Sequence, residues 1–541
     1  MHAQARAATH ARTHRHLARS HPRPWRPWTA FAGGSILGER RRRVLHARPA
    51  NRVHGVRARL VALRRRIRGI GRLPVVRYRQ ACEAAAIATE AEAVDLKGRM
   101  RSAGSWLGAL ALAGALLAAQ ALASDPPLQC EVGSYRLDNG EMLDIGPGAG
   151  GQLRWRTTDG RTGALAPQDD GTWTSTLGWT ERPDGHRVSF SDCERGGVRF
   201  DKTAGHRVPL EHIDTRFRGS GVALAGRLTL PPGEDTVPLV VLVHGAERDS
   251  ALQRYSLQRE FASAGIGVFA YDKRGTGASE GRYTQDYLTL AIDAIHAMRE
   301  ARRLAGARAG RVGYQGGSQG GWVAPLAARI EPVDFVIVSF GLAVSPLEED
   351  REAIAFDMQR GGFGPEATAG AMEVADATAR VIESGFTEGF EQLEAAKAKY
   401  GEESWYPAVR GNFTWYLLGN DEATVRRQAP QLVYGIPAQY DPMPVLETLD
   451  VPQLWALGGQ DRDAPPGETL HRLARLQRDG KPIVTALFPH ADHGMYEFET
   501  GADGERLSTR QPAGYFRLMA DFILGRPLRS QYGNAELSLP P

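Results

Sequence analysis

From Pro238 onward the chain alternates short, uninterrupted apolar runs with amphipathic stretches, and no other feature constrains its fold as strongly. The runs are Pro238 to Val243, Gly267 to Tyr271, Arg311 to Gln315, Asp334 to Phe340, Gln453 to Leu457 and Ile483 to Phe488. Helical patterns lie between them, as at Tyr283 to Leu304 and Gln319 to Ile330. A strand that is apolar on both sides needs cover on both faces. The pattern therefore predicts an α/β fold, a mostly parallel sheet flanked by helices, with ligands bound beyond the carboxyl ends of its strands. Residues 343–446 interrupt the alternation with polar helical text and the exposed-looking aromatics Trp405, Tyr406, Phe413, Trp415 and Tyr416. A structureless loop of that length is implausible in a compact domain, so this segment is expected to form a helical cap over the sheet's active edge.

The charge of +5 over 541 residues invites a nucleic-acid reading, and its location defeats that reading. Residues 1–99 hold 23 of the 67 Lys and Arg but only five of the 62 acids. The other 442 residues therefore carry 44 basic against 57 acidic side chains. Two readings fit the first 99 residues. They are a disordered basic arm, or upstream DNA translated from a misplaced start. The second is preferred because a fresh beginning follows at Met100. Arg101 gives a positive n-region, Trp106 through Ala119 an uncharged h-region, and Ala121-Leu122-Ala123 a cleavage site, so residues 100–123 read as a secretory signal peptide. The competing reading is an internal membrane helix. Small residues and the cleavage site favour removal, which leaves no stable membrane span.

The mature chain then begins near Ser124 with two cysteines, Cys130 and Cys193, which an oxidising compartment would allow to pair. Residues 124–205 read as a small β-rich module. Alternating runs such as Gln152 to Arg156 lie between Asn139-Gly140, Asp159-Gly160 and Asp184-Gly185 turns. The α/β domain is expected over 206–526, and residues 527–541 as a loose tail.

Two Gly-x-Ser-x-Gly segments occur, around Ser279 and Ser318. A reactive serine needs a strand directly before it and a helix directly after it, joined by a sharp turn that lifts the hydroxyl above the sheet. Ser318 has both, with Arg311 to Gln315 leading in and Trp322 to Leu326 leading out, whereas Ser279 stands in a Gly/Arg-rich loop. A serine hydroxyl also needs a histidine to take its proton and a carboxylate to orient that histidine, and both follow at later strand ends. Gly458-Gly459-Gln460-Asp461 and Pro489-His490-Ala491-Asp492-His493 supply them, so Asp461 and His493 are the expected acid and base. Asp463 is expected to be solvated or to cap a helix, and His490 to be a pocket or supporting residue. Glu349 and Asp350 are the fallback acids. The oxyanion needs two backbone donors, expected at Gln319 and at Ala246 in the loop His244-Gly245-Ala246-Glu247. His244 itself is expected to brace that loop.

These segments, with Tyr271-Asp272-Lys273-Arg274-Gly275-Thr276-Gly277-Ala278-Ser279, resemble the serine-esterase branch of the α/β-hydrolase superfamily, near the EstD-type, dienelactone-hydrolase-like and serine-aminopeptidase-like groups. Relatives often continue His-Gly with Ser-Gly-Pro, where Ala246-Glu247-Arg248 stands here. The resemblance implies an α/β-hydrolase fold with a cap insertion, and the signal segment at 100–123 implies an exported, periplasmic or secreted enzyme. Such an enzyme cleaves a small-molecule carboxylic ester through an acyl-enzyme. No metal or organic cofactor is implied, since no ligand-spaced cluster is present. The alternatives are an exported serine peptidase, an acyl-CoA thioesterase cut off from its substrate by export, and a non-catalytic binding protein. Substrate and oligomeric state are not legible.

Overall fold

A computed structural model describes residues 130–191, 195–502 and 504–540. The segment 100–123 expected as a signal peptide, the basic residues 1–99 and Cys193 lie outside the described residues. Cys130 is disulfide-bonded.

The first eight strands run from β1 (Gly133–Leu137), β2 (Met142–Pro147), β3 (Leu153–Thr157) and β4 (Thr162–Pro167) to β5 (Trp173–Leu177), β6 (Pro183–Ser191), β7 (Gly197–Phe200) and β8 (Thr203–Arg207). Each pairs antiparallel with the next and β8 returns to β1, so the expected small β module is a closed barrel without free edges. Alternation builds its core. Leu143 and Ile145 of β2 and Leu153 and Trp155 of β3 point inward, and the residues between them point out.

The α/β domain carries a nine-stranded sheet. Its strands are β9 (Glu211–Arg218), β10 (Ala223–Leu230), β11 (Val237–Val243), β12 (Gly267–Tyr271), β13 (Ala309–Gly317), β14 (Phe335–Ser339), β15 (Gln453–Gly458) and β16 (Ile483–Phe488), completed by β20 (Glu536–Ser538). The order is β20-β16-β15-β14-β13-β11-β12-β10-β9, and β12 through β16 run parallel with β11 among them. All six apolar runs are strands of this sheet, with Leu239, Val241, Tyr314, Val336 and Trp455 fully buried on one side and Val240, Phe335, Ile337 and Leu454 on the other. The strand order reverses between β12 and β13, so β11 and β13 flank a crevice at their carboxyl ends.

Two features depart from expectation. Residues 527–541 are no loose tail, because β20 pairs antiparallel with β16. After β16 the chain forms a second, three-stranded sheet of β17 (Ala491–Asp492), β18 (Tyr496–Thr500) and β19 (Arg506–Arg510). The segment expected as a cap is helical, with helices at Pro346–Arg360, Pro365–Glu383, Phe390–Tyr400, Thr414–Leu418 and Glu422–Leu432. Its aromatics are not exposed. Trp405 is buried against Ile354, Met358 and Val374, and Phe413 and Tyr416 pack on a neighbouring cluster around Val381 and Leu417.

The barrel packs on the α/β domain at two places, one made by an outward-facing strand residue and one by the turn after β5. Outward-facing Asp144 of β2 receives Arg259 of the helix Leu257–Ser263 in a buried two-pronged ion pair, at 2.7 and 2.8 Å. On another side Trp179 donates its N–H to Ser508 of β19 and packs edge-on against Tyr496 of β18, with ring centroids 4.5 Å apart. Removing one member of a buried ion pair strands the other without solvent. Asp144→Ala should therefore lower stability by about 3–5 kcal/mol in denaturant unfolding, and Asp144→Leu combined with Arg259→Met should recover most of that loss.

Candidate active site

Ser318 sits in the turn between β13 and the helix Gly320–Ile330, with φ at +52°. A non-glycine residue in that region costs about 1–3 kcal/mol and persists only where its surroundings fix it. Here the N–H of Ser318 donates to the Ser339 carbonyl at 3.0 Å, and Gly321 N–H closes the turn onto Ser318 O at 2.7 Å. The flanking glycines are steric necessities. A Cβ on Gly316 would lie 2.2 Å from Gly320 O, and one on Gly320 would lie 2.7 Å from Val243 O. Strand and helix thus approach more closely than any side chain permits.

Later strand ends bring two further groups to this turn. Asp461 lies in the loop after β15 and is fully buried, and His493 directly follows β17 with 8% exposure. The Ser318 hydroxyl donates to His493 Nε2 at 3.1 Å. With its proton on Nδ1, the imidazole donates to Asp461 Oδ2 at 2.9 Å and Oδ1 at 3.1 Å. Asp461 Oδ1 also accepts the N–H groups of Asp463 (3.0 Å) and Ala464 (2.8 Å), which fixes the carboxylate. Phe340 packs edge-on against the imidazole, with centroids 5.1 Å apart. Burial alone would lower the affinity of His493 for its proton. The carboxylates of Asp461, Asp463 and Glu349 outweigh that effect and raise it to about 9. Burial raises the carboxyl of Asp461 as well, against the pull of His493.

The loop after β11 lies beside the serine. A Cβ on Gly245 would be 3.3 Å from Gly317 O and 3.4 Å from Ser318 Cβ. His244 braces this loop from below, donating from Nε2 to Tyr271 O at 2.7 Å. Among the described residues neither Ala246 N–H nor Gln319 N–H donates to any acceptor. One unused donor thus directly follows Ser318, and the other lies on the loop whose Gly245 abuts it.

The structure leaves other sequence candidates outside this constellation. Ser279 is a brace, donating to Asp272 O at 2.6 Å and accepting Ala225 N–H at 2.9 Å. His490 is exposed. Asp350 is occupied by the cap, accepting Phe413 N–H, Thr414 N–H and the Thr414 hydroxyl. Asp463 is not a helix cap, because Pro465 holds that position; it is half-buried, and burial raises its carboxyl. Glu349, in the first turn of the helix Pro346–Arg360, is 8% exposed. Among the described residues neither the Glu349 nor the Asp463 carboxyl has a hydrogen-bond or ion-pair partner, yet both bear electrostatically on His493. Burial, foremost, raises Glu349 well above the carboxylate range. Its isolation had no signature in the sequence, since only the cap's packing creates it. No cluster of His, Cys, Asp and Glu suited to a metal ion occurs among the described residues.

Proton removal from Ser318 requires a neutral imidazole, and the carboxylates hold His493 protonated to higher pH than an ordinary histidine. The rate of Ser318 acylation, followed by stopped flow, should therefore rise with pH, with a midpoint displaced upward toward about 9. Asp461→Asn removes the largest of the raising charges. The midpoint should move down and the rate should fall by about 10³–10⁴-fold.

Residues 240–504 match the alpha/beta hydrolase family. No curated protein matches the chain. Among solved structures, an esterase of Pyrococcus furiosus aligns at 15% identity and a TM-score of 0.34, covering 52% of this chain and 84% of its own. The acylaminoacyl peptidase of Pyrococcus horikoshii aligns at 16% identity and 0.37, covering 73% and 57%. An acetyl xylan esterase from Paenibacillus sp. R4 aligns at 17% identity and 0.31, covering 52% and 79%. The family match runs from within β11 to just past β18 and takes in the segment expected as a cap and the loops that bear Ser318, Asp461 and His493, so this region of the chain is an alpha/beta hydrolase domain.

Proposed function

We propose that the protein is an exported serine hydrolase that cleaves small carboxylic esters through an acyl-enzyme. His493 Nε2 takes the Ser318 proton as Oγ attacks the acyl carbon, while Asp461 fixes the imidazole and faces the positive charge it acquires. The N–H groups of Ala246 and Gln319 receive the oxyanion. Collapse of the tetrahedral adduct expels the alcohol, protonated by His493. A water deprotonated by the same imidazole then releases the acid and restores Ser318. The observation that carries this reading is the continuous line from Ser318 Oγ through His493 to Asp461, at 3.1 and 2.9 Å, beside two unused backbone donors. Export rests on the segment 100–123. Among the described residues no helix is long and apolar enough to cross a membrane.

A specific observation favours a second reading, an exported peptidase. The unpartnered carboxyls of Glu349 and Asp463 beside His493 would suit a substrate that brings its own ammonium group.

Purified protein should hydrolyse short p-nitrophenyl esters, and Ser318→Ala should reduce turnover to background. Unchanged turnover in that variant would remove the assignment. Aminoacyl-anilides run in parallel decide between the readings. Faster anilide than ester cleavage, lost selectively in Glu349→Gln, would establish the peptidase. Mass spectrometry of exported protein should place the first residue near Ser124.

A further inference from the structure

Lys273 is 2% exposed, among the least accessible charged side chains described, and no step above uses it. It lies two residues past the end of β12, the strand that pairs with β11. Its ammonium donates to the Gly245 carbonyl at 2.6 Å and lies over the Tyr283 ring, 4.7 Å from its centroid. Tyr283 in turn donates its hydroxyl to the Ala246 carbonyl at 2.6 Å. Two consecutive carbonyls of the loop after β11 are thus pinned by buried side chains.

The peptide joining Gly245 to Ala246 is trans, so its C=O and N–H point in opposite directions. Fixing the Gly245 carbonyl on Lys273 therefore turns the Ala246 N–H away from Lys273, on the loop whose Gly245 abuts Ser318. We propose that Lys273 is a positioning residue of the oxyanion hole, whose ammonium sets the Gly245–Ala246 peptide plane and so aims the Ala246 N–H at the acyl oxygen.

Two further effects act in the same direction. A carbonyl that accepts from a cation polarises its own amide, which strengthens the N–H as a donor. Glu247 would otherwise oppose the developing negative charge, since a Cβ on Gly245 would fall 2.5 Å from its Oε2. Burial pushes the Glu247 carboxyl up, but His244, then Lys273, then the Tyr255 hydroxyl reverse this and bring it to about 2, so Glu247 is anionic. Lys273 offsets that charge across the loop. The Ala246-Glu247-Arg248 sequence thus comes with its own clamp, a buried Lys273 beneath the loop facing a half-buried Glu247 within it.

This inference rests on the serine-hydrolase reading, and the test separates the two. Lys273→Met keeps the length and apolar stem of the side chain and removes the donor. Lys273→Met with Glu247→Gln removes both charges, so the second variant leaves no uncompensated carboxylate to unfold the loop. Each is assayed per active site for ester kcat and KM, and for affinity toward an alkylboronic acid, which forms a tetrahedral adduct on the serine. Removing an oxyanion donor outright costs about 10²–10³-fold, and misaiming one should cost about 10–10²-fold. We expect kcat and boronate affinity to fall together by that factor in both variants, with KM within about threefold of the parent, a split that a purely structural role does not produce. Parental kcat and boronate affinity in either folded variant, alongside a dead Ser318→Ala, would overturn the proposal alone. Turnover surviving in Ser318→Ala would overturn the proposal together with the reading beneath it.

Discussion

The site depends on one close approach. At the crevice where strand order reverses, the helix that follows Ser318 touches the end of β11 through glycine alone, since any Cβ on Gly320 would meet the carbonyls of Val243 and His244. That contact sets Ser318 in its left-handed turn and lays the Gly245 loop against it. The β11–β13 register ends at Val243 opposite Gly316, so Gly245 and Ser318 emerge side by side from adjacent strands. The relation between the nucleophile and the donor proposed for its oxyanion is therefore a property of strand pairing, and the surrounding side chains serve to hold it.

The histidine reaches the same place by a different route. His493 is carried by β17, β17 pairs with β18, and β18 pairs with β19. This small sheet is seated on the barrel through the Trp179–Ser508 and Trp179–Tyr496 contacts and through Arg182 on Glu499, and Arg506 of β19 ties Asp492 back at 2.6 Å. Gly160 of the barrel comes so close that its Cβ would strike the carbonyl of Gln511. The barrel holds none of the proposed catalytic residues, yet it packs against the sheet from which His493 projects.

What the sequence made legible was whatever is local in the chain. Ser318 could be separated from Ser279 because strand, turn and helix lie within about fifteen consecutive residues, and Asp461 and His493 could be chosen because each follows an apolar run. The six parallel strands were readable for the same reason. Barrel closure was not, because β1 pairs with β8 some seventy residues away, and neither was β20, whose short polar text carries no strand signal of its own. The cap role expected at Asp463 falls instead to Pro465, two residues on, and Asp463 is left half-buried beside His493. The burial of Lys273 and of Glu349 has no signature in the sequence. Only long-range packing buries one under the Gly245 loop and the other beneath the cap.

The central claim is that Ser318 alone is made nucleophilic by this geometry. Reaction of the intact protein with an alkyl fluorophosphonate, followed by mass spectrometry of the whole chain and of its peptides, tests it directly. One adduct per chain on the peptide bearing Ser318, formed far more slowly in a His493→Ala variant, is the predicted result. An adduct on the peptide bearing Ser279 or any other serine, or labelling indifferent to the loss of His493, would contradict it.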